Sequence, residues 1–239
     1  MIKKLFQTPS IDWINRYERK LSEATHPLLK AFYAAPLATA ETPIDEIRFV
    51  AMDFETTGLN AKKDGIITIG LVPFTLKRIY MKDARHWIVR PRQALDEQSV
   101  VIHNITHSDI INAPDLSKVI EPVLNALAGS IIVVHYRKIE REFLDRALKE
   151  IINEGICFPV IDTLQLELQI QQRLCGGLWN QFKGRKPESV RLGQARKRYG
   201  LPTYTPHHAL TDAIATAELL QAQIAYYYDP KQPVRDFWL

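Results

Sequence analysis

FVAMDFETTG, residues 49–58, sets two carboxylates, Asp53 and Glu55, into an otherwise apolar run. The β-branched and aromatic residues around them favour a strand. Strand side chains alternate, so Asp53 and Glu55 share one face while Met52 and Phe54 share the other. Thr56, Thr57 and Gly58 then close the strand, which puts both carboxylates at its mouth, where α/β sheets bind ligands. A charged pair in a low-dielectric setting must be neutralised or take up protons. The compensating partner that fits is a metal ion. A DxE triplet alone is weak evidence; its position at the end of an apolar strand gives it weight.

Outward from this stretch, IRFVAMDF (47–54), GIITIGLVPF (65–74) and RHWIVRP (85–91) read as three strands of a meander. Helical and extended patterns then alternate. DLSKVIEPVLNALAG (115–129), KIEREFLDRALKEII (138–152) and TLQLELQIQQRL (163–174) are helical, with strands at SIIVVHY (130–136) and CFPVID (157–162). That alternation implies a sheet with parallel members and helices on its faces. A loop from Cys175 to Ser189 precedes a helix at 190–200, and a last long helix runs from about His208 to Tyr228.

Ahead of the sheet, SIDWINRYERKLSEA (10–24) has apolar residues at 11, 14, 17 and 21 behind a potential cap, Ser10, which predicts an amphipathic helix. HPLLKAFYAAP (26–36) predicts a shorter one, and LATAETPID (37–45) reads as a linker. The expected organisation is an N-terminal helical extension and linker over 1–46, a main domain over 47–228 and a tail over 229–239. With its two prolines, the tail is expected to lie along the surface.

Two more acids occupy comparable settings. Glu140 follows the apolar strand 130–136 and falls early in a helix whose buried face is Ile139, Phe143 and Leu144; Asp212 lies among small and apolar residues in PHHALTDAIATAELL. Four converging carboxylates would form an oxygen cage for a hard divalent cation, typically Mg2+ or Mn2+. Such a cage suits phosphoryl transfer. A proton acceptor is then needed, and His207 and His208 stand just ahead of Asp212. Helical spacing alone favours His208, one turn before Asp212, whereas Pro206 leaves His207 in a loop.

Taken in order, DFETTGL, VVHYRKIEREFLD and HHALTDA resemble the three motifs of the DnaQ-like (DEDDh) 3′-to-5′ exonucleases. That superfamily includes the proofreading subunit of bacterial DNA polymerase III, ribonuclease T and oligoribonuclease. IHNITHSDIINAP and VIDTLQLE are similar to its linking segments. The resemblance implies an RNase H-like α/β fold with a mixed five-stranded sheet flanked by helices. It also implies two divalent ions, Mg2+ or Mn2+, and hydrolysis that releases nucleoside monophosphates from DNA or RNA 3′ ends. It makes Asp53, Glu55, Glu140 and Asp212 the metal ligands and His207 the general base, because the family's base precedes the last aspartate by five residues. Thr56, Thr57, Gly58 and Leu59 become contacts to the terminal nucleotide. One motif departs from the pattern. Where the family has His-Asn and an aspartate, this chain has His135-Tyr136 and Glu140, with Asp145 as a fallback ligand. A catalytically weak or inactive nucleic-acid-binding or partner-binding module on the same fold is therefore the alternative, and a site for very short oligonucleotides a third reading.

The chain has 239 residues, 46% hydrophobic and 24% charged, as in ordinary globular proteins. No stretch reaches the length of a membrane helix and no export signal is seen, so the expected location is cytoplasmic, with Cys157 and Cys175 as reduced thiols. A net charge of +4 barely favours a polyanionic partner. Its distribution says more: Lys183, Arg185, Lys186, Arg191, Arg196, Lys197 and Arg198 crowd one segment, interleaved with Trp179, Phe182 and Tyr199. That segment reads either as a phosphate-tracking surface with stacking rings or as a solvated helix face. The expected partners are single-stranded DNA or RNA 3′ ends, with the N-terminal helices available to dock a polymerase or another protein.

Overall fold

The computed structural model describes residues 11–91, 107–175 and 188–239. Ser10, Trp179, Phe182, Lys183, Arg185, Lys186 and part of the linking segment IHNITHSDIINAP lie outside them. The described strands are β1 (Phe49–Thr56), β2 (Ile66–Thr75), β3 (Arg78–Ile79), β4 (Arg85–Ile88), β5 (Ile131–Val134) and β6 (Val160–Asp162). The helices are α1 (Trp13–Glu23), α2 (Pro27–Ala34), α3 (His107–Ile111), α4 (Ile120–Leu127), α5 (Lys138–Ile152), α6 (Thr163–Cys175), α7 (Leu192–Arg198) and α8 (Ala209–Tyr227).

One mixed sheet runs in the order β3-β2-β1-β5-β6, with β4 also paired to β2. β1 is antiparallel to β2, while β5 and β6 run parallel to it, as the switch from meander to alternating helices predicts. The sixth strand beyond the expected five comes from the outer edge. β3 pairs with Phe74 and Thr75, and β4 pairs with Thr68 to Leu71, so both occupy the same side of β2. A turn of 3-10 helix at Met81–Asp83 breaks what would otherwise be one edge strand. β1 is the sheet's central member, and Phe49 to Met52 are all buried.

The N-terminal helix begins later than its apolar spacing predicts. Asp12, not Ser10, caps α1, accepting from the Asn15 N–H at 3.0 Å. Trp13 and Tyr17 are its buried residues, while Ile11 is exposed. The inner stripe is Trp13, Tyr17 and the partly buried Leu21, so the expected positions 17 and 21 lie on it, while Trp13 takes the place on the inner face that Ile11 does not. Trp13, Tyr17, Phe32 and Tyr33 form a continuous set of ring contacts that belongs to the same hydrophobic core as the sheet. Glu154, after α5, accepts from the His26 N–H at 2.7 Å, and the Tyr33 hydroxyl accepts from the Cys157 N–H at 3.0 Å. The apolar faces of α1 and α2 are thus used inside the molecule.

The tail does not lie along the surface. Val234, Phe237 and Trp238 are buried, and the Leu239 N–H donates to the Val160 carbonyl at 2.9 Å at the outer edge of β6. Residues 40–45 run beside 230–235, with the Ile44 N–H on the Gln232 carbonyl and the Val234 N–H on the Thr42 carbonyl, each at 2.9 Å. Proline content misleads here because Pro230 and Pro233 contribute carbonyl acceptors or turns and no N–H is asked of them.

Candidate active site

The site is built on one cross-strand row. Asp53 pairs with Gly70 of β2, and Gly70 pairs on its other side with His86 of β4. Directly paired residues point to the same face, so Asp53, the bare Gly70 and His86 form one line. The start of α8 lies on that line: a Cβ at Gly70 would come within 2.3 Å of the Ala209 carbonyl carbon. His208, which precedes α8, stacks on His86 with ring centroids 4.6 Å apart. The glycine therefore lets the helix settle against the sheet, and one turn later Asp212 faces Asp53. We expect Gly70→Ala to lift α8, costing about 1–3 kcal/mol in a chemical denaturation curve and removing most of the activity; wild-type values for both would show that α8 does not depend on this contact.

Asp53, Glu55 and Asp212 converge, each offering a carboxylate oxygen within 4.8 Å of the others. Glu140 stands outside that trio but is buried to 2% exposure, and its Oε2 accepts no hydrogen bond among the described residues. The electrostatics bind all four together. Burial pushes the Asp53 carboxyl well above the usual range, and the charges of Glu140, Asp212 and Glu55 push it further. Burial likewise raises Glu140 well above its ordinary value, helped by Asp162. Asp212 is raised by burial and by Glu55, although the His207 N–H, donating to its Oδ2 at 2.9 Å, works the other way. A buried oxygen without a donor beside repelling carboxylates fits a hard divalent ion that prefers oxygen ligands. Asp145 has other work: it accepts from the Ile156 N–H at 3.0 Å and from Lys149 at 2.6 Å. It closes the end of α5.

The two histidines separate. The Nδ1 of His208 accepts from the Thr211 N–H at 3.3 Å, capping α8, and its ring is held on His86. Its exposed neighbour His207 has a positive φ of 68° and lies in the bend before the helix. His208 does stand one turn before Asp212, whose N–H donates to its carbonyl at 2.9 Å, but its imidazole Nδ1 is engaged as the cap of α8. At the C-terminal end of β1, directly after Glu55, the Thr56 hydroxyl donates to the Gly58 carbonyl at 2.6 Å. The Thr57 N–H donates to the Gly65 carbonyl at 2.9 Å, and Leu59 is 80% exposed.

Sequence reasoning missed Asp162 and the strain at Tyr136. Asp162, at the end of β6, is 2% exposed and accepts from the N–H groups of Tyr136 at 3.0 Å and Arg137 at 3.1 Å, and from the Arg137 guanidinium at 3.1 Å. It also accepts from the Leu164 N–H, tying the turn before Glu140 to the start of α6. Tyr136 is held there at φ 86°, a left-handed conformation that an aromatic residue rarely adopts. The family's asparagine tolerates that region, which gives the departure at this position a backbone cost. Tyr136→Asn should therefore stabilise the fold by about 1 kcal/mol, read as a higher urea midpoint at unchanged slope; a lower midpoint would mean that the ring supplies more than the strain costs. The basic segment is also corrected in part. Arg196 is buried, donating to the Ala215 carbonyl at 2.6 Å and paired with Glu218 at 2.7 Å. Arg198 is paired with the buried Glu167 at 2.8 Å. Those two arginines hold α7 to α6 and α8 and are not available to track phosphates.

The exonuclease family RNase_T matches residues 50–220. The chain belongs to this exonuclease family. It is 27% identical over 183 residues to the DNA polymerase III subunit epsilon of Treponema pallidum, covering 77% of this chain and 79% of that one. It is 30% identical to the PolC-type DNA polymerase III of Thermotoga petrophila over 75% of this chain, but spans only 12% of that much longer protein. Among solved structures it is similar to cell-death related nuclease 4, with a TM-score of 0.63 at 20% identity over 77% of this chain and 65% of that one. The nuclease domain of 3′hExo, a DEDDh family member bound to rAMP, superposes with a TM-score of 0.58 at 16% identity, covering 79% of this chain and 94% of that one. Those likenesses establish the shared RNase H-like fold. The protein is a hydrolytic exonuclease of the DnaQ-like group, a family that uses divalent metal ions. Among the described residues, no helix is long and apolar enough to cross a membrane, and Cys157 and Cys175 are free.

Proposed function

We propose that this exonuclease removes nucleoside monophosphates from the 3′ end of single-stranded DNA or RNA, with His207 as general base. The observation that carries the reading is the convergence of Asp53, Glu55 and Asp212 beside the buried Glu140, whose Oε2 has no hydrogen-bond partner among the described residues. These four would hold two divalent ions, Mg2+ or Mn2+. Bound there, such ions supply an acidified water and stabilise the attacking and leaving oxygens of an in-line displacement. Asp212 fixes the backbone of His207, whose imidazole would take the proton from the attacking water. Thr56, Thr57, Gly58 and the exposed Leu59 would receive the terminal nucleotide. Docking to a polymerase through the N-terminal segment would have to use the outer, polar faces of α1 and α2.

The alternative, a weak or inactive binding module, draws support from Glu140 standing outside the close trio. Hydrolysis of 5′-labelled single-stranded DNA and RNA in Mg2+, Mn2+ or EDTA distinguishes the two. We expect metal-dependent ladders that shorten from the 3′ end. Binding without cleavage under every condition would select the module, and cleavage confined to the shortest strands would select an enzyme for short oligonucleotides.

A further inference from the structure

We infer that Tyr199, Tyr226 and Tyr227 form a second contact surface for single-stranded nucleic acid, remote from the carboxylates. Tyr226 and Tyr227 end α8 and are 68% and 41% exposed. Tyr199 meets both edge-on, with ring centroids 5.6 Å and 6.1 Å away, and Tyr226 and Tyr227 are 6.3 Å apart. Three adjoining tyrosines with two rings in water are not explained by packing. The cluster is nevertheless rigid, because the Tyr199 hydroxyl donates to the buried Glu167 at 2.8 Å, and Gln223 of α8 donates to the same carboxylate at 2.9 Å.

Charge points to a polyanion. Arg173, exposed near the end of α6, lies over the ring of Tyr228 at 5.3 Å, and exposed Lys197 stands two residues before Tyr199. Neither has a carboxylate within ion-pair distance among the described residues, whereas the nearby Glu188 is already paired with Arg198 at 3.5 Å. Flat rings beside cations are the usual platform for single strands, since every base has a face to stack and every linkage a phosphate to neutralise. Position supports the same occupant. α8 carries Asp212 in its first turn and Tyr226 14 residues later, so the two lie about 21 Å apart along one helix. A strand whose 3′ end is at the carboxylates could continue to this surface.

The inference rests on the nucleic-acid reading of the active site, but binding tests it without catalysis. The probe is a fluorescent oligothymidylate of about 15 nucleotides, measured by anisotropy in EDTA on the full chain. Replacing Tyr226 and Tyr227 together by Ala should weaken binding about 10-fold or more, and replacement of both by Phe should restore it. Hydrolysis of the p-nitrophenyl ester of thymidine 5′-monophosphate, too small to reach the tyrosines, should be unchanged in the Ala variant. Unaltered oligonucleotide affinity in the Ala variant would overturn the inference and leave the surface to a protein partner. Loss of ester hydrolysis along with binding would also overturn it, by showing that the rings act through the fold. If the wild-type protein hydrolyses nothing while the Ala variant still loses binding, the surface stands and the nuclease reading fails.

Discussion

Asp53→Asn should reduce turnover of any oligonucleotide by about 10³-fold or more, the scale on which one preorganised electrostatic group matters, while making the metal-free protein more stable. The two effects have one cause. Burial and three neighbouring carboxylates hold the folded-state pKa of Asp53 well above its ordinary 3.8, and burial also raises Glu140 from 4.5. Between those ordinary values and the raised ones, the folded state binds more protons than the unfolded state. Without metal, stability should therefore fall as pH rises from about 4 through the raised values. Removing the Asp53 charge removes part of that slope. In EDTA, the variant should melt above the wild type at neutral pH, and the difference should vanish at low pH. Mn2+ or Mg2+ should raise the melting temperature of the wild type and have little effect on the variant. Wild-type turnover in the variant, or identical melting at neutral pH, would remove Asp53 from the metal site.

His207→Ala should lower kcat by about 10²–10⁴-fold, as expected when a positioned general base is lost, with little change in stability. His208→Ala should do the opposite. It removes the cap of α8 and the stack on His86, so it should cost about 0.5–2 kcal/mol in stability and change kcat less than the His207 variant does. The reverse assignment of these outcomes would move the base to His208. The contrast is informative because the two residues are adjacent, and only their backbone settings tell them apart: a positive φ and an N–H on Asp212 for His207, an N-cap for His208.

Much of the site was legible because its chemistry is local in sequence. Asp53 and Glu55 betray themselves as charges in an apolar strand, and Asp212 as an acid among small residues facing a sheet. Glu140 is less visible, since an acid in the first turn of a helix is ordinary; only its 2% exposure and donorless oxygen mark it. Gly70 carries no local signal, because a glycine inside a strand becomes necessary only when another element lands on it. Asp162 carries no signal of its own in VIDTLQLE, because its task of holding Tyr136 and Arg137 crosses between two strands. The basic run at 183–198 shows the limit of composition: Arg196 and Arg198 are spent on Glu218 and Glu167 inside the fold, which linear charge cannot reveal.

By itself, then, the chain's order of residue types determined the sheet with its parallel and antiparallel members, the helices between them, and the kind of atom offered to a ligand. Those depend on periodicity and residue chemistry, which act over a few neighbours. Tertiary structure alone decided that the His208 ring rests on His86 of β4, that the proline-bearing tail is buried against β6, and that a bare Gly70 brings α8 and its Asp212 over Asp53. Each of these depends on two segments far apart in sequence competing for one volume or one hydrogen-bonding group, and that competition is settled only when the chain is packed.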